Sequence, residues 1–242
     1  MEALILAAGF SKRLQPLTLT QAKPLLPVGG RPMIDYIVDK VGEIDDVKRV
    51  LVVCNGKFHQ NFVEWSSHSG ATVVNDGTMD NEQRLGAIGD IDLVIQKERV
   101  DDDLLVVAGD NLFEASLSEF VEAARKHAPD VSIGVVDFHD RERIKGRYGI
   151  VELEPSGQVK AFYEKPSDPV TTLVSTGIYY FPKEQLPKIH QYLEEGGKAD
   201  NIGHLIGWLV DKVHLKAHTL EGEWLDIGDH KSYEEANQKY SK

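Results

Sequence analysis

A glycine turn followed by cations lies near the start of the chain. Leu4-Ile5-Leu6-Ala7-Ala8 stops at Gly9, and Phe10-Ser11-Lys12-Arg13-Leu14 follows. After Pro16-Leu17-Thr18 comes Lys23-Pro24-Leu25-Leu26-Pro27-Val28, a further cation flanked by prolines. An apolar run of strand length that breaks at a glycine presents backbone N–H groups at the C-terminal edge of a sheet. Backbone donors together with an arginine and lysines at such an edge are the chemistry of polyphosphate binding in open α/β folds. A polar loop with solvated cations is the plainer alternative. Asp110, just past the apolar run Leu104–Ala108 and Gly109, is placed to hold a magnesium ion against phosphates, or simply to cap a turn. Glu164-Lys165 taken alone is an exposed charge pair at a strand end. Gly177, inside Ser175-Thr176-Gly177-Ile178-Tyr179, marks either a close approach to the backbone or a bulge.

These residues need elements to position them. Met1–Ala8, Arg49–Cys54, Ala71–Val74, Leu104–Ala108 and Val131–Val136 read as buried strands. Between them lie helical faces: Ile34, Ile37, Val38 and Val41 after Pro32; Phe58, Phe62 and Trp65; Leu85, Ile88, Ile91 and Ile95, with Asn81 as the expected N-cap; and Leu117, Phe120, Val121 and Ala124 behind a Ser116/Glu119 capping pattern. Repeated strand–helix alternation predicts a doubly wound, mostly parallel sheet. The second half changes character. Tyr148–Leu153 and Gln158–Tyr163 flank Pro155-Ser156-Gly157 as a hairpin, and Val174–Phe181 is a further strand. A helix follows Pro182, another covers Ile202–Val210, strands lie near Val213–Thr219 and Trp224–Ile227, and Asp229 caps a closing helix to Tyr240. One compact mixed α/β domain over 1–242 is expected. A nucleotide-binding half would cover about 1–128 and a substrate-covering half about 129–242.

The 242 residues are 41% hydrophobic and 27% charged, ordinary for a globular protein, with net charge −12. That acidity argues against a nucleic-acid-binding face and makes the cations near Gly9 stand out. The single cysteine, Cys54, sits in an apolar run and reads as a buried thiol. The nine histidines show no metal-ligand pairing, so no zinc site is read, and His204 reads as a core histidine. No signal-peptide pattern and no membrane-length apolar run is present, so a cytoplasmic protein without membrane association is expected.

The ordered set of motifs resembles the sugar-phosphate nucleotidyltransferase family, in particular its glucose-1-phosphate thymidylyltransferase-like members. The similarity runs from Ala3 to about Ala236 and rests on Gly9–Leu14, Lys23–Val28, Gly109–Phe113, Tyr163–Pro166, Ser175–Tyr179 and Trp224–Asp229. The resemblance implies a Rossmann-like nucleotidyltransferase fold. It implies that Leu6, Ala7, Ala8, Gly9, Ser11 and Lys12 meet the nucleotide, that Arg13 and Lys23 are catalytic, and that Asp76, Gly77 and Gly86 lie in the base-reading segment. It further implies that Gly149, Glu164, Lys165 and Gly177 bind a sugar 1-phosphate, and that Asp110 and Asp226 hold Mg²⁺. Many members read Gly-x-Gly-Thr-Arg-Leu where this chain has Gly9-Phe10-Ser11-Lys12-Arg13-Leu14. Ser11 restricts torsions that glycine allows, and Lys12 adds a cation toward the triphosphate. The activity implied joins an NTP to a sugar 1-phosphate with release of pyrophosphate. Two alternatives stay open: a cytidylyltransferase acting on phosphocholine or inositol 1-phosphate, and a non-catalytic regulatory paralogue that binds nucleotide-sugars. The chain stops soon after Asp226, so a single activity without an added acyltransferase domain or feedback site is expected. Base, acceptor and homo-oligomer formation are left open.

Overall fold

The computed structural model describes residues 1–241. Strands β1 (Glu2–Leu6), β2 (Pro27–Val28) and β3 (Arg31–Pro32) precede α1 (Met33–Gly42), β4 (Arg49–Cys54), α2 (His59–Ser69), β5 (Thr72–Asn75), α3 (Gly86–Glu98) and β6 (Leu104–Ala108). Then come β7 (Asn111–Phe113), α4 (Leu117–Arg125), β8 (Val131–Asp137), α5 (Arg141–Ile144), β9 (Gly149–Leu153), β10 (Val159–Glu164) and β11 (Leu173–Phe181). The chain closes with α6 (Pro187–Glu194), α7 (Ile202–Leu209), β12 (Leu215–Thr219), β13 (Trp224–Asp226) and α8 (His230–Tyr240).

A nine-stranded mixed sheet runs β10-β9-β11-β6-β1-β4-β5, with β8 and β12 branching from β11. Strand β1 pairs in parallel with both β4 and β6, and β4 with β5. Strand β11 enters antiparallel against β6, β8 and β9. Side chains of β1 alternate between two cores: Ala3 and Ile5 join one cluster with α1 and α4, and Leu4 joins the other with α3, α6 and α7. A strand covered on both faces must be apolar at every position, which is why Ala3–Leu6 reads as an unbroken hydrophobic run. After β1 the chain winds one way through β4 and β5. It then returns to place β6 on the other side of β1, so the carboxyl ends of β1 and β6 open a crevice at the switch point.

Local signals behave as their chemistry demands. Ser116 Oγ accepts from Glu119 N (3.3 Å) at the start of α4, and Asp229 with Ser232 forms a reciprocal capping box on α8. Gly157 turns the β9–β10 hairpin with φ +78°. One cap falls elsewhere than expected. Helix α3 begins at Gly86, not behind Asn81, and Asn81 instead lends its carbonyl to Arg84 Nη1 at 2.7 Å. The free N–H groups of Ala87 and Ile88 are taken by the carbonyls of Asp200 (3.2 Å) and Ala199 (2.9 Å). A partner more than a hundred residues away cannot be read from a local cap pattern. No helix among the described residues is long and apolar enough to cross a membrane.

Candidate active site

A cavity of about 540 Å³ opens over the crevice. Its first wall comes from the loops after β1 and β6. Gly109 N donates to Leu6 O at 2.9 Å, which holds the two loops against each other, and Ala7 N donates to Val53 O at 2.9 Å, which ties the first loop to β4. A Cβ at Gly109 would come within 2.6 Å of Leu6 O, so the close approach requires glycine. Leu6, Ala7, Gly9, Ser11, Arg13, Lys23 and Asp110 all line the cavity. Ser11 sits in the left-handed region (φ 46°, ψ 47°) despite its side chain. Its carbonyl takes bonds from Thr18 Oγ1 (2.9 Å) and Leu14 N (3.0 Å). The restriction expected of serine here is thus met by the bonds from Leu14 and Thr18 that hold the turn, not by glycine.

The second wall comes from the later half. Gly149, Glu164, Lys165, Gly177 and Asp226 line it. Short strands β7 and β13 pair antiparallel with Asp226 opposite Asn111, and Ile227 N donates to Asp110 O (3.2 Å). This ladder brings together two aspartates that are far apart in sequence. Burial, and then the nearby Asp110 carboxylate, raise the pKa of Asp226, while Lys23, Arg13 and Arg147 oppose the rise. Lys23 is 5% exposed, and its Nζ lies 3.0 Å from Asp110 Oδ2. Two carboxylates facing one space with a buried lysine need positive charge between them and supply hard oxygen donors. That donor set fits Mg²⁺, which is commonly held by one or two carboxylates and completed by phosphate oxygens. The described residues contain no cluster of three or more His, Cys, Asp or Glu for an all-protein metal cage.

Several expected residues lie elsewhere. Lys12 is exposed, pairs with Glu82 (3.0 Å) and does not line the cavity, because the left-handed turn at Ser11 sends it outward. Ala8 is buried, with its carbonyl accepting from Asn55 Nδ2 at 2.9 Å. Asp76 does not line the cavity either; its carboxylate binds Thr78 N (2.7 Å) and Oγ1 (2.8 Å). Gly77 serves the same turn with φ +81°, and Gly86 packs beneath Ala199 O, where a Cβ would come within 2.6 Å. Gly177 lines the cavity, but the groups that crowd it are protein atoms. A Cβ there would meet Ala108 Cβ at 2.8 Å and Asn111 Nδ2 at 3.0 Å, at an irregularity in the β8–β11 register.

The structure adds residues that motif reading passed over. Arg147 lines the cavity and, like Arg13, forms no ion pair within 4.0 Å among the described residues. Its only sequence signal was its place before Tyr148-Gly149. Ser175 Oγ and Tyr179 Oη lie 3.0 Å apart in the second wall, and burial pushes the Tyr179 phenol up to about 12. Asp200 and Asn201 form the rim, and Asp200 makes a two-point ion pair with Arg84 (3.1 and 3.0 Å). That pair ties the segment before α3 to the segment before α7.

An open α/β sheet whose switch-point crevice holds cations and two aspartates has the makings of a phosphate-binding site. The chain belongs to the nucleotidyl transferase family, whose model matches residues 2–242. It is 28% identical over 239 residues to the bifunctional protein GlmU of Methanocaldococcus jannaschii, covering 98% of this chain and 54% of that protein. It is 28% identical over 242 residues to the UTP–glucose-1-phosphate uridylyltransferase AglF of Haloferax volcanii, covering 99% and 96%. A glucose-1-phosphate thymidylyltransferase of Streptomyces antibioticus is 28% identical over 237 residues, covering 95% and 63%. The chain thus spans only about half to two-thirds of the GlmU and thymidylyltransferase relatives. In fold it is similar to a Bacillus anthracis structure described as a glucose-1-phosphate thymidylyltransferase in complex with a sucrose, with TM-score 0.84, 24% identity, and 100% and 95% of the two chains covered. An apo UDP-glucose pyrophosphorylase gives TM-score 0.82 at 18% identity, covering 99% and 98%.

Proposed function

We propose that this enzyme joins an NTP to a sugar 1-phosphate and releases pyrophosphate, forming an NDP-sugar within one domain of two halves. The observation that carries this reading is the shared cavity. Arg13, Lys23 and Asp110 from the nucleotide half face Glu164, Lys165 and Asp226 from the acceptor half across one space. A phosphate oxygen of the sugar 1-phosphate attacks the α-phosphorus in line with the departing pyrophosphate. One P–O bond forms as the other breaks, and the attacking phosphate is already ionised near neutral pH, so no general base is required. Catalysis is then positioning and charge neutralisation. Arg13 meets charge on the α-phosphate and the leaving pyrophosphate, and Lys23 holds phosphate oxygens. Lys165 seats the acceptor phosphate, Glu164 accepts from sugar hydroxyls, and Arg147 supports the phosphates from the acceptor side. Asp110 and Asp226 would hold Mg²⁺, which when bound supplies charge neutralisation between the two anions. A cytoplasmic site of action fits a demand for nucleoside triphosphates.

The test is pyrophosphate release with and without Mg²⁺, across dTTP, UTP, CTP, GTP and ATP against several sugar 1-phosphates, phosphocholine and inositol 1-phosphate. One strong NTP–sugar pair is expected. Turnover only with phosphocholine or inositol 1-phosphate, or nucleotide-sugar binding without any turnover, would overturn the reading.

A further inference from the structure

Gly203 is the second residue of α7 and is buried. It has no left-handed φ, so its backbone does not call for glycine. Glycine near the start of a helix weakens that helix relative to alanine, so the reason for it must be space. A Cβ at Gly203 would overlap Glu164 Oε2, and would stand 2.6 Å from Phe162 Cε1 and 3.0 Å from Glu164 Cδ. One turn later, a Cβ at Gly207 would find its nearest neighbour, Phe162 O, at an ordinary 3.7 Å. The crowding therefore belongs to position 203 and not to the helix as a whole.

Phe162 and Glu164 project from the same face of β10, two residues apart. Phe162 cannot retreat, because its ring also presses on Gly149, where a Cβ would come within 2.9 Å of Cε1. The Glu164 side chain is 15% exposed, and its other oxygen, Oε1, faces Lys165 Nζ at 3.7 Å. The carboxylate is thus seated with one oxygen over the first turn of α7 and the other toward the cavity cation. Its negative charge also suits the positive end of the helix. Any side chain at 203 would push the carboxylate out of this seat, while Arg13, Lys23 and Asp110 on the opposite wall would be untouched.

We infer that Gly203 is a positioning residue for the acceptor: the slot it leaves sets the orientation of the Glu164 carboxylate and thereby recognition of the sugar hydroxyls. This rests on the proposed sugar 1-phosphate reading. It separates two properties of the site, because the slot serves the acceptor and leaves the nucleotide side alone.

The experiment is steady-state kinetics of Gly203→Ala, Gly207→Ala, Glu164→Ala and the Gly203→Ala/Glu164→Ala pair, each checked for a cooperative melt. Gly203→Ala is expected to raise KM for the sugar 1-phosphate about tenfold or more, the scale of a lost charge-assisted hydrogen bond, with KM for the NTP within about twofold. Gly207→Ala is expected to leave both constants alone. In the Glu164→Ala background, Gly203→Ala is expected to add no further rise in the sugar 1-phosphate KM, since the carboxylate it displaces is gone, while its contact with the Phe162 ring is present in both backgrounds and is read in the melt. An equal rise of both KM values, no rise at all, or the same penalty with and without Glu164 would overturn the inference. If the wild-type protein turns over no sugar 1-phosphate, the functional reading itself fails. A crystal structure of Gly203→Ala then decides the slot separately: a displaced Glu164 carboxylate upholds it, and an unmoved one refutes it.

Discussion

Asp90 offers a quantitative test of how α3 is held against the loop after β5. It lies on α3, is 6% exposed, and its Oδ1 has no hydrogen-bond partner among the described residues. It faces the Asp76 carboxylate, with apolar Ile88, Ile91 and Val94 on the same helix buried around it. Burial first, and then the charge and hydrogen bond of Asp76, push its pKa from 3.8 up to about 8. The folded protein therefore keeps a proton that the unfolded chain releases above pH 3.8. Between these two values the folded state binds more protons than the unfolded state, so stability falls as pH rises, by about 1.4 kcal/mol per pH unit. Below the unfolded pKa the cost vanishes, and above the folded pKa it levels off. At pH 7 it is at most about 4 kcal/mol, roughly three pH units times 1.4. Asp90→Asn keeps a donor for Asp76 and cannot ionise. For a domain of this size, about 2–4 °C of Tm per kcal/mol makes the variant about 10 °C more stable at pH 7. That advantage should shrink steadily toward pH 4. The assay is thermal melting of both proteins from pH 4.5 to 8.5. A Tm difference that stays flat with pH, or an Asn variant that is less stable throughout, would refute the neutral-carboxyl account.

Arg13→Ala is expected to lower turnover by about a hundredfold or more while Tm shifts by no more than about 2 °C, since the guanidinium forms no ion pair among the described residues; activity near wild type would remove it from the mechanism. Lys12→Ala is expected to change turnover and NTP KM by less than about twofold, because its partner is the exposed Glu82; a tenfold loss would show that the loop turns Lys12 inward on binding. Cys54, fully buried with its thiol pushed up to about 12, should resist alkylation at pH 8 until the protein is unfolded, and rapid labelling of the native state, read by mass spectrometry, would contradict that burial.

Much of the architecture was legible from local pattern. Runs such as Leu104–Ala108 and Val50–Cys54 are apolar at every position because both faces of their strands are covered. The Pro155-Ser156-Gly157 turn and the Asp229 cap carry their own backbone chemistry within a few residues. The α3 start was misplaced for the converse reason, since its free N–H groups are satisfied by residues 199 and 200.

The same division runs through the site. Sequence by itself determined the family resemblance, the cation-bearing loop and the candidate roles of Arg13, Lys23, Asp110, Glu164, Lys165 and Asp226, because residue type and short spacing survive in one dimension. Only the tertiary structure decided that the β7–β13 ladder brings Asp110 and Asp226 together, that Lys12 leaves the cavity for Glu82, that Arg147 enters it, and that Asp76 answers to Asp90 rather than to the cavity. The reason is physical. Which side chain meets which across the crevice depends on strand register and on the space left by Gly109 and Gly203, all set by contacts between segments distant in the chain.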